Sequence, residues 1–293
     1  MRHLTILVLV FAAACGTIVS EPTGDDDDVP GDDDPGDDDP GTPDRCDRTR
    51  PFGQPFGLDT FNTNTSGQSP TLSLTQDELV AVVSENGQLL AARRSVITDE
   101  FPQPSGEVFA QINNGTTFFN APAITADGLH AYFLADGLLF HAERSDLDSE
   151  FTALAQITIA SSNAAPFGFT ISADGQTVYA VDDSDGLLRS ASASDAITFD
   201  TIRVDSAMAM VDPVLDPSQL RLYYTTGNDI LVSTRASVDE PFMSGQPLTD
   251  INTTDFLEEP MFVSADDCSI VFKSDRPGHA GNGNMWQANR PFN

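Results

Sequence analysis

Basic residues are what this sequence has least of. Lys and Arg together make 14 of its 293 residues, with Lys273 the single lysine, against 45 Asp and Glu, for a formal net charge of −31. A chain so poor in cations cannot neutralise phosphates, which excludes nucleic acid as a partner. Cysteine is scarce as well, with three residues, and tryptophan occurs once. No G-x-S-x-G nucleophile elbow is present. The four histidines, His3, His130, His141 and His279, show no ligand spacing, so neither a metal nor another cofactor is expected. What is plentiful is turn chemistry, with 21 Gly and 19 Pro.

The acid is unevenly spread. Twelve acidic residues and no base lie between Glu21 and Asp44, interleaved with Pro and Gly. Such a segment has nothing apolar to bury and cannot offset its ordering entropy, so it reads as a self-repelling tether. Ahead of it come a short basic start (Met1-Arg2-His3), an apolar run from Leu4 to Phe11 too short to span a bilayer, and Ala12-Ala13-Ala14-Cys15-Gly16. This N-terminus resembles the signal and lipobox of bacterial lipoproteins. The resemblance implies cleavage before Cys15, a lipid on that cysteine, and, with Gly16 following it, an outer-membrane placement facing either the periplasm or the cell surface. The alternative is an ordinary secretory signal with an incidental cysteine. The organisation expected is therefore a signal over 1–14, a lipidated tether over 15–47 and a folded domain over 48–293.

In the folded part a strand-turn-strand phrase recurs five times. Its turns begin at Thr75, Thr125, Ser172, Asp216 and Ser264, spaced 44 to 50 residues apart. Each is followed by a turn-forming group, a β-branched and aromatic run, a second turn and another run. Arg94, Arg144, Arg235 and Arg290 recur in step, with Ala193 in the third copy, and Phe52, Phe101, Phe151, Phe199, Phe242 and Phe292 form a parallel series. The Phe residues read as packing between sheets, and the Arg residues as bonding a neighbouring sheet. The chain ends on Arg-Pro-Phe and its folded part opens on Arg50-Pro51-Phe52, so the series closes on itself. A repeat of about 48 residues with four short strands is the size of a propeller blade. The expectation is an all-β propeller of five four-stranded blades, the last completed by an N-terminal strand within Pro55 to Asn62. A sixth, degenerate blade in 52–69 is the alternative.

Ser172-Ala173-Asp174-Gly175 running into an aliphatic-aromatic strand, and Ser264-Ala265-Asp266 running into Ile270-Val271-Phe272, resemble the WD-like propeller repeat of TolB-type proteins. The likeness covers about residues 50 to 293 and implies a cell-envelope propeller.

Three sets of residues bear on chemistry. The Asp-rich turns read as hairpin chemistry, not calcium ligation, because a carboxylate there accepts backbone N–H bonds. Asp212, Glu258 and Glu259 precede the inner strands of the fourth and fifth copies, where a propeller's axial funnel opens. Paired acids there would suit a carbohydrate-active hydrolase or lyase, but the equivalent positions Ser69, Ala121 and Ala165 bring no further acid. Cys46 and Cys268 are placed to bridge the closing strand to the last blade, the alternative being two free thiols. The reading favoured is a lipid-anchored, non-catalytic scaffold binding a protein, peptide or glycan partner.

Overall fold

A computed structural model describes residues 45–62, 70–114, 117–159, 166–182, 186–195, 198–206, 209–278 and 284–292. Cys15, the signal, the acidic run, His3, His279, Ser69 and Ala165 lie outside the described residues. The chain folds as a five-bladed β-propeller. Blade 1 comprises Thr71–Leu74, Val80–Glu85 and Gln88–Arg93. Blade 2 comprises Phe119–Ile124, His130–Ala135, Leu138–Glu143 and Thr152–Gln156. Pro166–Ile171, Thr177–Asp182, Leu188–Asp195 and Thr198–Val204 form blade 3, and Val211–Leu215, Arg221–Thr226, Asp229–Thr234 and Gln246–Pro247 form blade 4. In blade 5 the strands Glu258–Val263, Ser269–Ser274 and Asn284–Asn289 are joined on their outer edge by Phe56–Gly57. Among the described residues the only helical elements are two single 3-10 turns, and no helix is long and apolar enough to cross a membrane.

The ring is held by five separate apolar seams, one between each pair of neighbours. Blades 1 and 2 share Val82, Leu89, Phe119 and Phe133, while blades 2 and 3 share Tyr132, Leu134, Ile171 and Phe199. Tyr179, Leu188, Leu222 and Tyr224 fill the next seam, followed by Tyr223, Ile230, Ile270 and Phe272. The last seam returns Phe262, Val271 and Met285 of blade 5 to Leu72, Val83 and Phe101 of blade 1. Each second strand, such as Ala131–Ala135 or Ser269–Phe272, is buried on both faces, which explains its unbroken apolar run.

The outer edges depart from a uniform four strands. Among the described residues blade 1 has three strands, with an Ala91–Ser105 bridge outside them. The chain there reads Phe101-Pro102-Gln103-Pro104-Ser105, and two prolines cannot donate to a ladder. Blade 3 gains a fifth strand, Thr158–Ile159, parallel to its outermost one. The closing strand is likewise short, and much of its pairing passes to a side chain. Asn62 Nδ2 donates to the Met285 carbonyl (2.9 Å) while its Oδ1 accepts from the Met285 N–H (2.7 Å). Asn113 does the same to Leu89, and Asn252 to Ile230. Each asparagine follows a buried apolar residue (Phe61, Ile112, Ile251), which pins its amide against the third strand of a blade.

Candidate functional site

The repeated Asp residues are occupied by the turns themselves. The hydroxyls of Thr75, Thr125, Ser172 and Ser264 each donate to the Asp two residues on, at 2.6 Å. Those Asp side chains in turn accept the N–H of Leu79, Leu129, Gln176 and Cys268 at 2.9–3.1 Å. Blade 4 swaps the two residues: Ser218 Oγ donates to Asp216, which also takes the N–H of Leu220 and Arg221. The exchange preserves the turn although the order of the two residues is reversed in sequence.

The next residue in every turn is left-handed, with φ of 59° at Glu78, 71° at Gly128, 72° at Gly175, 60° at Gln219 and 55° at Asp267. Glycine meets that demand without strain, but the three side chains found there reach across seams. Tyr179 of blade 3 donates to Gln219 Oε1 of blade 4 (2.8 Å), and Tyr223 of blade 4 donates to Asp267 Oδ1 of blade 5 (2.8 Å). Glu78 of blade 1 receives Arg45 Nη1 at 2.6 Å, and Arg45 also pairs with Asp266 of blade 5 at 2.9 Å. Burial raises the Glu78 carboxyl despite that pairing.

The repeated Arg and Phe form one unit in blades 1, 2, 4 and 5, and Arg235 also makes the neighbour-blade bond expected from the sequence, reaching Asp205 (2.9 Å), just past the outer strand of blade 3, and Tyr179 Oη of blade 3 (2.8 Å). Nε of Arg94, Arg144, Arg235 and Arg290 donates to the carbonyl of its own blade's left-handed residue at 2.7–2.8 Å. The guanidinium carbon then lies over Phe101, Phe151 and Phe242 at 4.3, 4.6 and 4.3 Å, within cation-π range. For Arg290 the ring is Phe52 (4.0 Å), and Phe292 is 77% exposed. Phe52 therefore completes the series at blade 5.

Asp212, Glu258 and Glu259 lie within the inner strands of blades 4 and 5, not ahead of them. Glu258 is fully buried and faces into its own blade. Its carboxylate accepts from Thr253 Oγ1 (2.9 Å), Thr253 N (3.2 Å), Ser274 Oγ (3.2 Å) and Arg276 Nη2 (2.9 Å). Side chains alternate along a strand, so the adjacent Glu259 takes the other face, where it pairs with Lys273, its partner in register on the second strand. Asp212 stands opposite, on a β-bulge between Val211 and Val214 with φ 49°. Gly168 of blade 3 permits a close approach at this point, since a Cβ there would sit 3.3 Å from Asp212 N and from Pro213 Cδ. Burial first and the Glu259 charge second push the Asp212 carboxyl up to about 6, against the pull of Lys273. The three acids thus resolve into one internal strut, one ion pair and one partly protonated carboxyl.

At the closing seam Cys46 and Cys268 form a disulfide with a Cα–Cα distance of 5.7 Å, both residues buried. A cleft of about 450 Å³ opens beside it, with Glu78, Arg94, Phe101 and Arg290 in its wall and Phe56 and Phe292 exposed around it.

No protein-family model matches the sequence, and no curated protein matches it. Among solved structures the chain is similar to a putative TolB from Agrobacterium tumefaciens, at 14% identity and a TM-score of 0.47 over 83% of this chain and 92% of that one. It is also similar to the glutaminyl cyclase of Myxococcus xanthus, at 12% identity and a TM-score of 0.49 over 82% and 94% of the two chains. For the hydrazine synthase of Kuenenia stuttgartiensis the figures are 13% and 0.41, and the chain covers 73% of itself and 58% of that protein. These are likenesses of fold among proteins of unlike activity, and they transfer none of it.

Proposed function

We propose that this chain is a lipid-anchored envelope protein whose propeller is a non-catalytic binding module for a protein, peptide or glycan. The observation that carries the reading is the state of the acids at the ring axis. General acid-base hydrolysis needs two carboxyls free to exchange protons with a substrate. Here Glu258 is enclosed by four donors and Glu259 is tied to the sole lysine. What remains toward the axis is Asp212 beside a Glu259–Lys273 pair, a polar patch that offers both an acceptor and a cation to a hydrogen-bonding ligand. Lipidation at Cys15 and the acidic spacer after it would hold that patch away from a bilayer.

Two experiments test this. Changing Cys15 to Ser should move the protein from the membrane to the soluble fraction, and an unchanged distribution removes the anchor from the proposal. Crosslinking in native envelopes should capture a partner that Asp212→Asn or Glu259→Gln releases. Turnover of any polysaccharide by the wild type that Asp212→Asn abolishes would overturn the binding reading in favour of a glycan-active enzyme.

A further inference from the structure

His130, His141 and Glu143 were separate in the sequence, and a hairpin brings them together. The two-residue turn Asp136-Gly137 fixes the register of blade 2, so His130 lies opposite Glu143 and Tyr132 opposite His141. Positions two apart on one strand share a face, so both histidines and the glutamate converge on one face of the blade, at the end of its two central strands away from the Asp136-Gly137 turn. His130 Nδ1 and His141 Nε2 are 3.0 Å apart, and Glu143 Oε2 is 4.0 Å from His130 Nδ1. One donor atom from each of the three residues lies within 4.8 Å of the others.

We propose that these residues form a binding site for a divalent transition ion of the zinc class. A tetrahedral ion with bonds of about 2.0–2.1 Å sets its donor atoms roughly 3.3 Å apart. The observed separations straddle that figure and need only small side-chain rotations to meet it. Two imidazoles and one carboxylate suit zinc, copper or nickel, and they lack the six to eight oxygens that calcium requires. Three protein ligands leave a fourth position for water.

Half of the site is preorganised. His141 is 2% exposed, its ring 4.9 Å from Tyr132 and 5.2 Å from His130, centroid to centroid. His130 and Glu143 are open to solvent, which gives an ion its entry path. Without metal, one ring nitrogen donates to the other. Binding needs both lone pairs, so that proton moves to the outer nitrogen of its own ring and no net charge is lost. The strongly acidic chain also concentrates cations around itself.

The test is calorimetric titration of the full-length protein with Zn²⁺ in excess Ca²⁺, which saturates the acidic run, followed by zinc-edge X-ray absorption. One Zn²⁺ per chain with two imidazole ligands is expected. Glu143→Gln, at an exposed position, should weaken binding at least about tenfold while leaving the metal-free melting temperature in place, and His130→Ala should weaken binding at least as much. Failure of the wild type to bind zinc, equal binding by the wild type and His130→Ala, or an all-oxygen coordination shell would each overturn the proposal.

Discussion

Arg290 stacks on Phe52, a residue from the opposite end of the folded chain, with its guanidinium carbon 4.0 Å from the ring centroid. Blades 1, 2 and 4 build the same pair from residues seven apart in sequence, so the closing blade borrows its aromatic partner from the N-terminus. Phe52→Ala should cost about 3–5 kcal/mol, as buried aromatic truncations do, whereas Phe292→Ala should change stability by less than about 0.5 kcal/mol. Denaturant titration of the two variants side by side measures the difference, and equal effects would sink this assignment of the closing residue.

The disulfide closes a loop of 222 residues between Cys46 and Cys268. Replacing both cysteines with serine should lower unfolding free energy by about 2–5 kcal/mol, and reductant should reproduce the loss in the wild type. Peptide mapping with and without reductant checks the bond directly, and an alkylatable Cys268 in the native protein would contradict it.

Asp212 sets a pH dependence. Its folded carboxyl is raised to about 6 from an ordinary 3.8, so the folded state holds a proton that the unfolded chain releases between those values. The stability this gives is complete below about pH 4 and lost as pH rises through 6. Asp212→Asn should therefore stabilise the protein by about 1–3 kcal/mol at pH 7.5 and by nothing at pH 4. Melting temperatures of the pair across that range decide it.

Glu258 and Glu259 should behave oppositely despite being neighbours. Glu258→Ala leaves the Arg276 guanidinium without its carboxylate in a buried setting and should cost about 3–5 kcal/mol. Glu259→Gln removes one partner of a pair that keeps some solvent access and relieves Asp212 of a neighbouring charge, so its cost should be clearly smaller than that of Glu258→Ala. Similar losses from the two variants would contradict the division of roles between internal strut and ion pair.

The period of the fold was legible because the turns repeat their chemistry. Thr75, Thr125, Ser172 and Ser264 announce each hairpin, and the Phe series returns at Phe52, which is enough to count blades and to place the closing strand. What escaped was directional. The pair Glu258-Glu259 looked like two funnel acids, yet strand alternation allows only one to face the axis. The arginines were assigned to neighbouring blades, which holds for Arg235 with Asp205 and Tyr179, but all four also take the carbonyl that the left-handed turn leaves within reach in their own blade. Asn62, Asn113 and Asn252 carried a readable signal, a large apolar residue directly followed by Asn (Phe61, Ile112, Ile251), which spacing of the strands alone does not reveal. His130 and Glu143 become neighbours only once the Asp136-Gly137 turn is used to count register.

The position of Cys46 has a mechanical meaning. Any tension reaching the domain along the chain from its N-terminal side meets Cys46 ten residues before the two-residue closing strand at Phe56. The covalent bond hands that load to Cys268, at the root of a central strand of blade 5, and Arg45 spreads part of it onto Glu78 of blade 1. The short strand that shuts the ring is thus shielded from shear applied on the N-terminal side of Cys46.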